Sequence, residues 1–430
     1  MKAGTDYPLE RRRFAVLGIL WLSNAVFWAS WFAQAPLLKS YWGAVNHVSF
    51  SNAQYLLGAV NIVAMCTVFA SGYFYDRVGP RLGTATMLVM IVVGFGLRPL
   101  TVHSFPLTLL LTIVAGCGQP LNSAPAPVVS RWFGHHRMAF PLAMAMTSVS
   151  VGQATGQLTG AMMAADFGVA GAFSIYSVAL VACLVLWFAF VPHGPKRPAG
   201  PPGPALPPLR HAFSAMMKTR GSWTFAMLGA LYTGILTSSQ SLLPGVLQHS
   251  FRLSPPQAGR DTAVFGAAEI IGMLVIGYRL GRSPRLARHG LWISVGEFVG
   301  QAALGVMFWA AIRGLGAVLF CWAVCGFFFL TNFVFALASM ERLKMAGSQT
   351  AGIAAGFYFT FANAGGLVFP AILARIEDAV GSPNVGFVGI TIMAACAIVL
   401  WASAVARRGL FALMPSPVPA TPGDGEAVPA

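Results

Sequence analysis

Twelve long apolar runs fill most of this 430-residue sequence, and each is about as long as a helix that crosses a bilayer. A membrane-spanning helix needs about 20 apolar residues. Only 9% of the residues are charged, whereas soluble globular domains carry roughly 25%, so lipid must cover much of the surface. We predict an all-α membrane protein whose helices lie near residues 14–38, 52–73, 82–102, 105–130, 138–163, 170–192, 222–247, 257–279, 289–312, 314–339, 349–373 and 384–406.

Basic side chains are concentrated at the N-terminus and in every second loop after it, which together hold 21 of the 27 Lys and Arg residues. Loops with such an excess stay on the cytoplasmic side of a membrane. The net charge of +15 therefore reflects membrane topology, and we predict no nucleic-acid partner. We expect both termini to be cytoplasmic and the protein to be multi-pass in the plasma (inner) membrane, with the lipid bilayer as its main partner.

A stretch rich in Pro and Gly, HGPKRPAGPPGPALPP, separates the sixth and seventh runs. Such a composition is typical of a linker rather than a packed helix. We predict an N-terminal six-helix bundle over 1–192 and a cytoplasmic Pro-rich linker over 193–220. A C-terminal six-helix bundle then covers 221–408, and a disordered cytoplasmic tail covers 409–430.

Two motifs recur at a nearly constant offset along the chain. Gly72 and Gly277 each open a loop in which an Arg follows at a fixed position, and they lie 205 residues apart. The pairs Gly152/Gly156 and Gly352/Gly356 lie 200 residues apart. The repeat predicts two halves with the same internal plan, as in many transporters. Because small residues let helix backbones approach closely, we expect these glycine-bearing helices to face each other across the halves.

The loop from Gly72 to Arg81 resembles the signature loop of the major facilitator superfamily, Gly-x-x-x-Asp-Arg-x-Gly-x-Arg/Lys. This resemblance implies two pseudo-symmetric six-helix bundles that transport a small molecule by alternating access. An Asp-Arg pair at a helix end can bind helix termini and opposite charges. We therefore predict a conformational latch formed by Gly72, Asp76, Arg77, Gly79, Arg81 and Arg131.

A narrower set of residues is similar to the feline leukaemia virus subgroup C receptor-related family, solute carrier family 49. The similar segments are 23–28, 96–98, 118–120, 124–125, 131–134 and 233–237. The family is linked to choline, ethanolamine and haem, and its choline carriers hold the cation between an aromatic residue on helix one and another on helix seven. Trp28 matches the first, whereas Gln240 and Ser241 stand near the second. The resemblance also implies a monomer.

Polar side chains are costly at the bilayer midplane and therefore indicate either a binding site or interhelical hydrogen bonds. In this sequence they fall mainly on the helices that the resemblance assigns to the central cavity. Pro120, Pro125 and Pro127 also interrupt the fourth helix, which is tolerated beside a cavity. The candidate substrate-binding residues are Asn24, Trp28, Trp31, Gln119, Asn122, Gln153, Tyr232, Thr237, Gln240, Asn332 and Asn363.

Glu269 lies near the middle of the eighth run, and Glu297 lies within the ninth run. A carboxyl group at this depth is a functional candidate by default, so each is a candidate for proton or cation coupling, with a structural partner as the alternative. Arg98 is expected to extend to the membrane interface. Cys321 and Cys325, one turn apart, are interpreted as small apolar residues, and we expect neither a metal site nor a cofactor.

These observations favour a secondary active transporter of a small organic solute over an enzyme, because no nucleophile–base set, metal-binding HExxH or phosphate loop is present. One alternative is a membrane sensor or receptor built on a transporter scaffold, which would be expected to carry a structured cytoplasmic domain. Another is a carrier of haem or iron compounds. The identity of the solute, the coupling ion and the direction of transport stay open at this point.

Overall fold

The computed structural model describes residues 7–133, 139–192, 209–277, 286–309, 314–341, 351–382 and 384–407. The predicted tail over 409–430 and residues 193–208 of the predicted linker lie outside the described residues. Eight regular helices cross the molecule without a break: α1 (Tyr7–Phe32), α2 (Tyr55–Val78), α3 (Pro80–Gly96), α7 (Arg220–Ser250), α9 (Leu286–Trp309), α10 (Leu315–Glu341), α11 (Ala351–Val380) and α12 (Val385–Ala406).

The four other crossings are irregular. The segment α4 consists of Phe105–Gly116, a 3-10 turn at Gln119–Ser123, and Pro125–Phe133. A single run, Ala139–Phe190, bends at Gly168, whose φ of 72° is readily adopted only by glycine, and so divides into α5 (139–167) and α6 (169–190). The segment α8 consists of Pro255–Thr262, Val264–Gly272 and a π-helical turn, Met273–Gly277.

Nine helices in the described part of the chain are long and apolar enough to cross a membrane. One of them contains both α5 and α6, and the irregular α8 and polar-faced α7 complete the twelve crossings. Large apolar side chains such as Val178, Phe320 and Val399 are exposed on the outside, as expected for groups that face lipid. The prediction of an all-α membrane protein is confirmed for the described residues, and their helices fit the twelve predicted crossings.

The two halves use the same packing plan. In the first half α1 lies along α5, and in the second half α7 lies along α11. A methyl group on Gly156 would come within 2.4 Å of the Ala29 carbonyl oxygen, and one on Gly365 within 2.0 Å of the Ala230 carbonyl oxygen. Glycine therefore permits the close backbone approach in both pairs.

This packing corrects one expectation from the sequence. Gly152 and Gly156 contact α1 of their own half, and Gly160 contacts Ala33 directly after α1, so they do not face the opposite half. Gly356 does cross the boundary, where it lies against Phe69 of α2. A repeated glycine spacing indicates a close helix contact, but the partner helix depends on which side of the glycine helix faces it.

The halves meet along two seams, α2 with α11 and α5 with α8. We call the end of the molecule at residues 33–54 and 381–382 the distal face, and the end at Gly79 and residues 191–192 the terminal face. The helix Leu209–Lys218, here the linker helix, lies on the terminal face beside α7 and α11. At the distal face, residues 33–54 contain a π-helical turn, Leu38–Gly43, and a short helix, Phe50–Ala53.

Candidate functional site

The break in α4 brings its polar side chains next to α1. Pro120 and Pro125 lack a backbone N–H, so the helix changes to a 3-10 turn between them. Asn122 lies in that turn, and its Oδ1 accepts a 2.8 Å hydrogen bond from Trp28 Nε1. Gln119, in the same turn, is buried, and its Oε1 has no partner among the described residues. The structure thus brings Trp28 and Asn122 together.

The stripe of α1 that carries Trp28 is fixed on three sides. Asn24 Nδ2 donates to Ser148 Oγ of α5 at 2.8 Å, and Trp31 Nε1 donates to the Leu57 carbonyl oxygen of α2 at 3.1 Å. The rings of Trp28 and Trp31 lie 4.9 Å apart. Trp31 therefore packs on Trp28 and binds α2, whereas Trp28 lies beside α4 and Asn24 beside α5.

Two glutamines of α5 are buried inside the molecule. Gln157 Nε2 donates to Gln240 Oε1 of α7, a hydrogen bond that joins the two halves. Gln153, one turn away, is buried, and neither of its amide atoms has a partner among the described residues. An unpartnered buried amide is costly unless a ligand or water satisfies it. Gln153 is therefore the strongest polar candidate on α5.

The candidates on α7 and α11 have local partners. Thr237 Oγ1 donates to the Thr233 carbonyl oxygen at 2.8 Å, and Asn363 Nδ2 donates to the Phe359 carbonyl oxygen at 2.7 Å. Both bonds are made within one helix. Thr237 also lies near Gly366 of α11, which places it at the contact of α7 with α11.

Two candidates lie apart from this central group, inside the second half. Tyr232 OH accepts a 2.7 Å hydrogen bond from Trp401 Nε1 of α12 and pairs with Ser294 Oγ of α9. Asn332 Nδ2 donates to Ser294 Oγ at 2.8 Å and to Glu297 Oε2 at 2.9 Å. These side chains join α7, α9, α10 and α12 to one another.

The two membrane carboxyls occupy different places. Glu297 belongs to the network that holds Asn332 and Ser294. Glu269 lies on α8 and interacts with Ser150 of α5, across the boundary between the halves. Both are buried, and Glu269 Oε2 and Glu297 Oε1 have no hydrogen-bond partner in the described part of the chain.

A family model of the Major Facilitator Superfamily matches residues 20–370, most of the chain. The chain belongs to the Major Facilitator Superfamily. The structure is also similar to that of the human organic anion transporter MFSD10 (TETRAN), with a TM-score of 0.65 and 15% sequence identity. That alignment covers 90% of this chain and 99% of the other. No curated protein sequence matches. The chain is thus a membrane transporter, and the likeness at this identity concerns the fold.

The signature loop of this superfamily forms the tight connection between α2 and α3. Gly79 has a φ of 83°, and its N–H donates to the Tyr75 carbonyl oxygen at 2.9 Å. Arg81 Nη2 donates to the Phe188 carbonyl oxygen at 3.2 Å and so binds α6. The surroundings of Gly72 and the side chains of Asp76, Arg77 and Arg131 lie outside the described part, so the predicted latch stays a prediction.

Polar contacts that sequence reasoning missed join the two halves at the distal face. Lys39 Nζ pairs with Glu377 Oε1 of α11, and Gly245 of α7 leaves the space in which the Lys39 side chain lies. The Pro36 carbonyl oxygen accepts a 3.3 Å bond from Gln248 Nε2 of α7. In the sequence, Lys39 directly follows the first predicted apolar run and Glu377 follows the eleventh, so both are expected on the same side of the membrane.

The expectation for Arg98 was wrong, because its side chain is only 1% exposed and turns inward. Nη2 donates to the Ser30 carbonyl oxygen at 2.6 Å, and Nη1 donates to Gln34 Oε1 at 2.9 Å. The guanidinium also lies 3.8 Å from the centre of the Phe95 ring. A cation suits this position because the carbonyls at the end of α1 carry partial negative charge.

Proposed function

We propose that the protein is a non-enzymatic secondary transporter that moves a small organic solute by alternating access. The observation that carries the proposal is the set of polar contacts between halves at the distal face, around Lys39 and Glu377. Water can replace such contacts, so the distal face can open without exposing a large apolar surface. Opening and closing this face around a central site is the motion that alternating access requires.

The proposed solute site lies between α1, α4 and α5, where Trp28, Asn122 and Gln153 offer one aromatic ring and several amide groups. A largely apolar site with a few polar groups is typical of small-molecule binding. Gln240 of α7, which bonds Gln157 of α5, would close it from the other half. Tyr232 and Asn332 would support the second half without touching the solute.

The basic loops support an orientation with the distal face outside the cell and the terminal face in the cytoplasm. Both termini would then be cytoplasmic and the membrane would be the plasma (inner) membrane. The family resemblance supports a monomer. Two bundles, 1–192 and 221–408, would rock about the seams between them, joined by the linker 193–220.

An organic cation is the solute class that the described residues favour. Among the described residues, Glu269 and Glu297 are acidic groups buried near the middle of spanning helices, and the buried Arg98 is already bound to Gln34 and the end of α1. This agrees with the narrower resemblance to solute carrier family 49, through Trp28. The structurally similar MFSD10 is an organic anion transporter, so an anion is the competing class. A haem or iron compound is the third.

Uptake into proteoliposomes tests the proposal, with choline, a small organic acid and haem as probes after a thermal-shift screen. Saturable uptake of one probe is expected. Trp28→Ala should abolish this uptake, whereas Trp292→Ala, which removes a 64% exposed lipid-facing ring, should leave it unchanged. Folded protein that transports none of the probes, nor any solute found in the screen, would contradict the proposal.

A further inference from the structure

The two buried carboxyls differ in whether their neighbours belong to one half or to both. Glu297 bonds Asn332, which bonds Ser294, and both neighbours lie in the second half. Tyr232 and Trp401 extend this network within the same half. If each half moves as a rigid body, Glu297 keeps its surroundings throughout the transport cycle.

Glu269 lies instead at the α5–α8 seam. Gly266, one turn away, packs on α5 so closely that a methyl group would lie 2.9 Å from the Ser150 carbonyl oxygen. The Glu269 carboxyl interacts with the Ser150 side chain, but Ser150 Oγ and Glu269 Oε2 do not reach hydrogen-bond geometry with any described residue. Separation of α5 from α8 would therefore remove the group that covers Glu269 and admit water.

Few charged groups surround Glu269. The groups that interact with the Glu269 carboxyl are the Ser150 side chain of α5 and the Glu297 carboxyl of α9. The helix α10 carries Cys321 and Cys325; the Cys325 sulfur and the Cys321 carbonyl oxygen lie against Gly300 of α9. On α8 itself, Arg260 and Asp261 pair with each other. No described residue therefore supplies a positive charge to Glu269, whose side chain is 1% exposed.

An ionised carboxylate without a counter-ion is very costly in this setting, while a neutral acid is far less so. The packed seam therefore requires a proton on Glu269. In an open seam, water can solvate the carboxylate and accept that proton. The packing of two helices and the occupancy of one proton site are then linked by mass action.

We propose that Glu269 is the proton-coupling group: it binds one proton when α5 packs on α8, and releases it to water when the seam opens at the distal face. Glu297 holds the second half together and does not take part in this exchange. The inference rests on the proposed alternating-access function and assigns the coupling role to one of its two carboxyl candidates.

Distances across the seam at several pH values test the assignment, with the proton itself as the probe. Spin labels are placed at Ala165→Cys on α5 and Val264→Cys on α8, both exposed, in a variant lacking the six native cysteines. Release of one proton changes the open-to-closed ratio by up to about tenfold per pH unit. The open population should rise with pH in the otherwise unchanged protein. It should become independent of pH in Glu269→Gln and keep its pH dependence in the matched control Glu297→Gln.

Persistence of the pH dependence in Glu269→Gln, or its loss in Glu297→Gln alone, would overturn the assignment. If Glu269→Gln does not fold, infrared spectra of Glu297→Gln test the assignment instead. The band of a protonated carboxyl group should disappear from these spectra as the pH rises. A band that does not change with pH would refute the proposal. If the seam opens during solute transport to the same extent at every pH, proton coupling is rejected but the proposed transport function is not. Absence of both flux and opening would reject the proposed function itself.

Discussion

The two ends of the α2–α11 seam are closed by different chemistry. At the distal face Arg375 Nη2 donates to Tyr55 OH at 3.3 Å, and Ser51 N donates to Asp378 Oδ2 at 3.1 Å. The Lys39–Glu377 pair lies beside them, with Lys39 partly exposed. These groups can exchange their protein partners for water, so the closed distal face gains little free energy from each contact.

At the terminal face the same seam is closed by aromatic rings. Phe213 of the linker helix lies 5.0 Å from the Phe69 ring of α2 and 5.4 Å from the Phe357 ring of α11, measured between ring centres. Trp223 of α7 also packs on Phe357. Water cannot replace these contacts. The distal closure is therefore expected to respond to charge and salt, whereas the terminal closure depends on where the linker helix sits.

A bulky side chain placed as a wedge at either end of the α2–α11 seam should reduce transport most strongly. A methyl group on Gly58 would already lie 3.0 Å from Leu367, and one on Gly356 would lie 3.1 Å from Phe69. Gly58→Trp should hold the distal end open and Gly356→Trp the terminal end. Each should reduce flux by about 100-fold, since the population of one state falls to about 1%.

The matched control for both wedges is Gly18→Trp, because Gly18 is exposed and has no neighbouring atom within 4 Å. Distances measured between labels at each end should lengthen at opposite ends in the two wedge variants. Lengthening at the same end in both would contradict the view that the seam closes alternately.

Charge reversal at the distal pair should have the next largest effect. Glu377→Lys places two cations together where Glu377 is buried, so the distal face should open by about tenfold in population. The double variant Lys39→Glu/Glu377→Lys should restore most of the closed population. Raising the salt from 0.15 M to 1 M shortens the screening length from about 8 Å to about 3 Å and should weaken the wild-type closure. Equal opening in the single and double variants would argue against the ion pair.

Truncation of the linker ring should act in the opposite direction. Phe213→Ala removes the half-buried ring between Phe69 and Phe357, so the terminal face should open by roughly fivefold, as the loss of about 1 kcal/mol of aromatic packing implies. Distances at the terminal face should show this opening, with no dependence on salt. A salt-sensitive response would mean that polar contacts, rather than aromatic packing, close the terminal end as well.

The smallest effect is expected from Tyr55→Phe, which removes the exposed hydrogen bond to Arg375. A solvent-exposed contact of this kind contributes little, so the distal population should change by less than about twofold. Measurement with the same distal labels provides the comparison with Glu377→Lys. A change as large as that of the charge reversal would show that the ion pair is not the main distal contact.

The sequence predicted the twelve helices because apolar runs of this length have few other stable forms. It also predicted that Trp28 and Asn122 belong to central helices, although not that they bond each other. Lys39 and Glu377 could not be paired from the sequence, since 338 positions separate them and only the packing of α2 on α11 brings them together.

A different physical reason explains why the directions of some side chains, such as Tyr232 and Arg98, could not be predicted from the sequence. Whether a polar side chain on a membrane helix faces the centre or a neighbouring helix depends on helix rotation, which hydropathy does not report. Tyr232 is directed into the second half, and Arg98 is directed onto the end of α1 rather than to the membrane interface. Helix rotation is set by the glycine contacts between α1 and α5 and between α7 and α11.

The distance between Asn52 and Ala379, two exposed positions on opposite sides of the distal seam, tests alternating access most directly. Spin labels at these positions in liposomes should report two populations, a short one for the closed face and a long one for the open face. Glu377→Lys should shift the protein to the long distance, and a transported solute should change the ratio in the unmodified pair. A single short distance in the wild type and in Glu377→Lys, accompanied by measurable flux, would contradict alternating access at this seam.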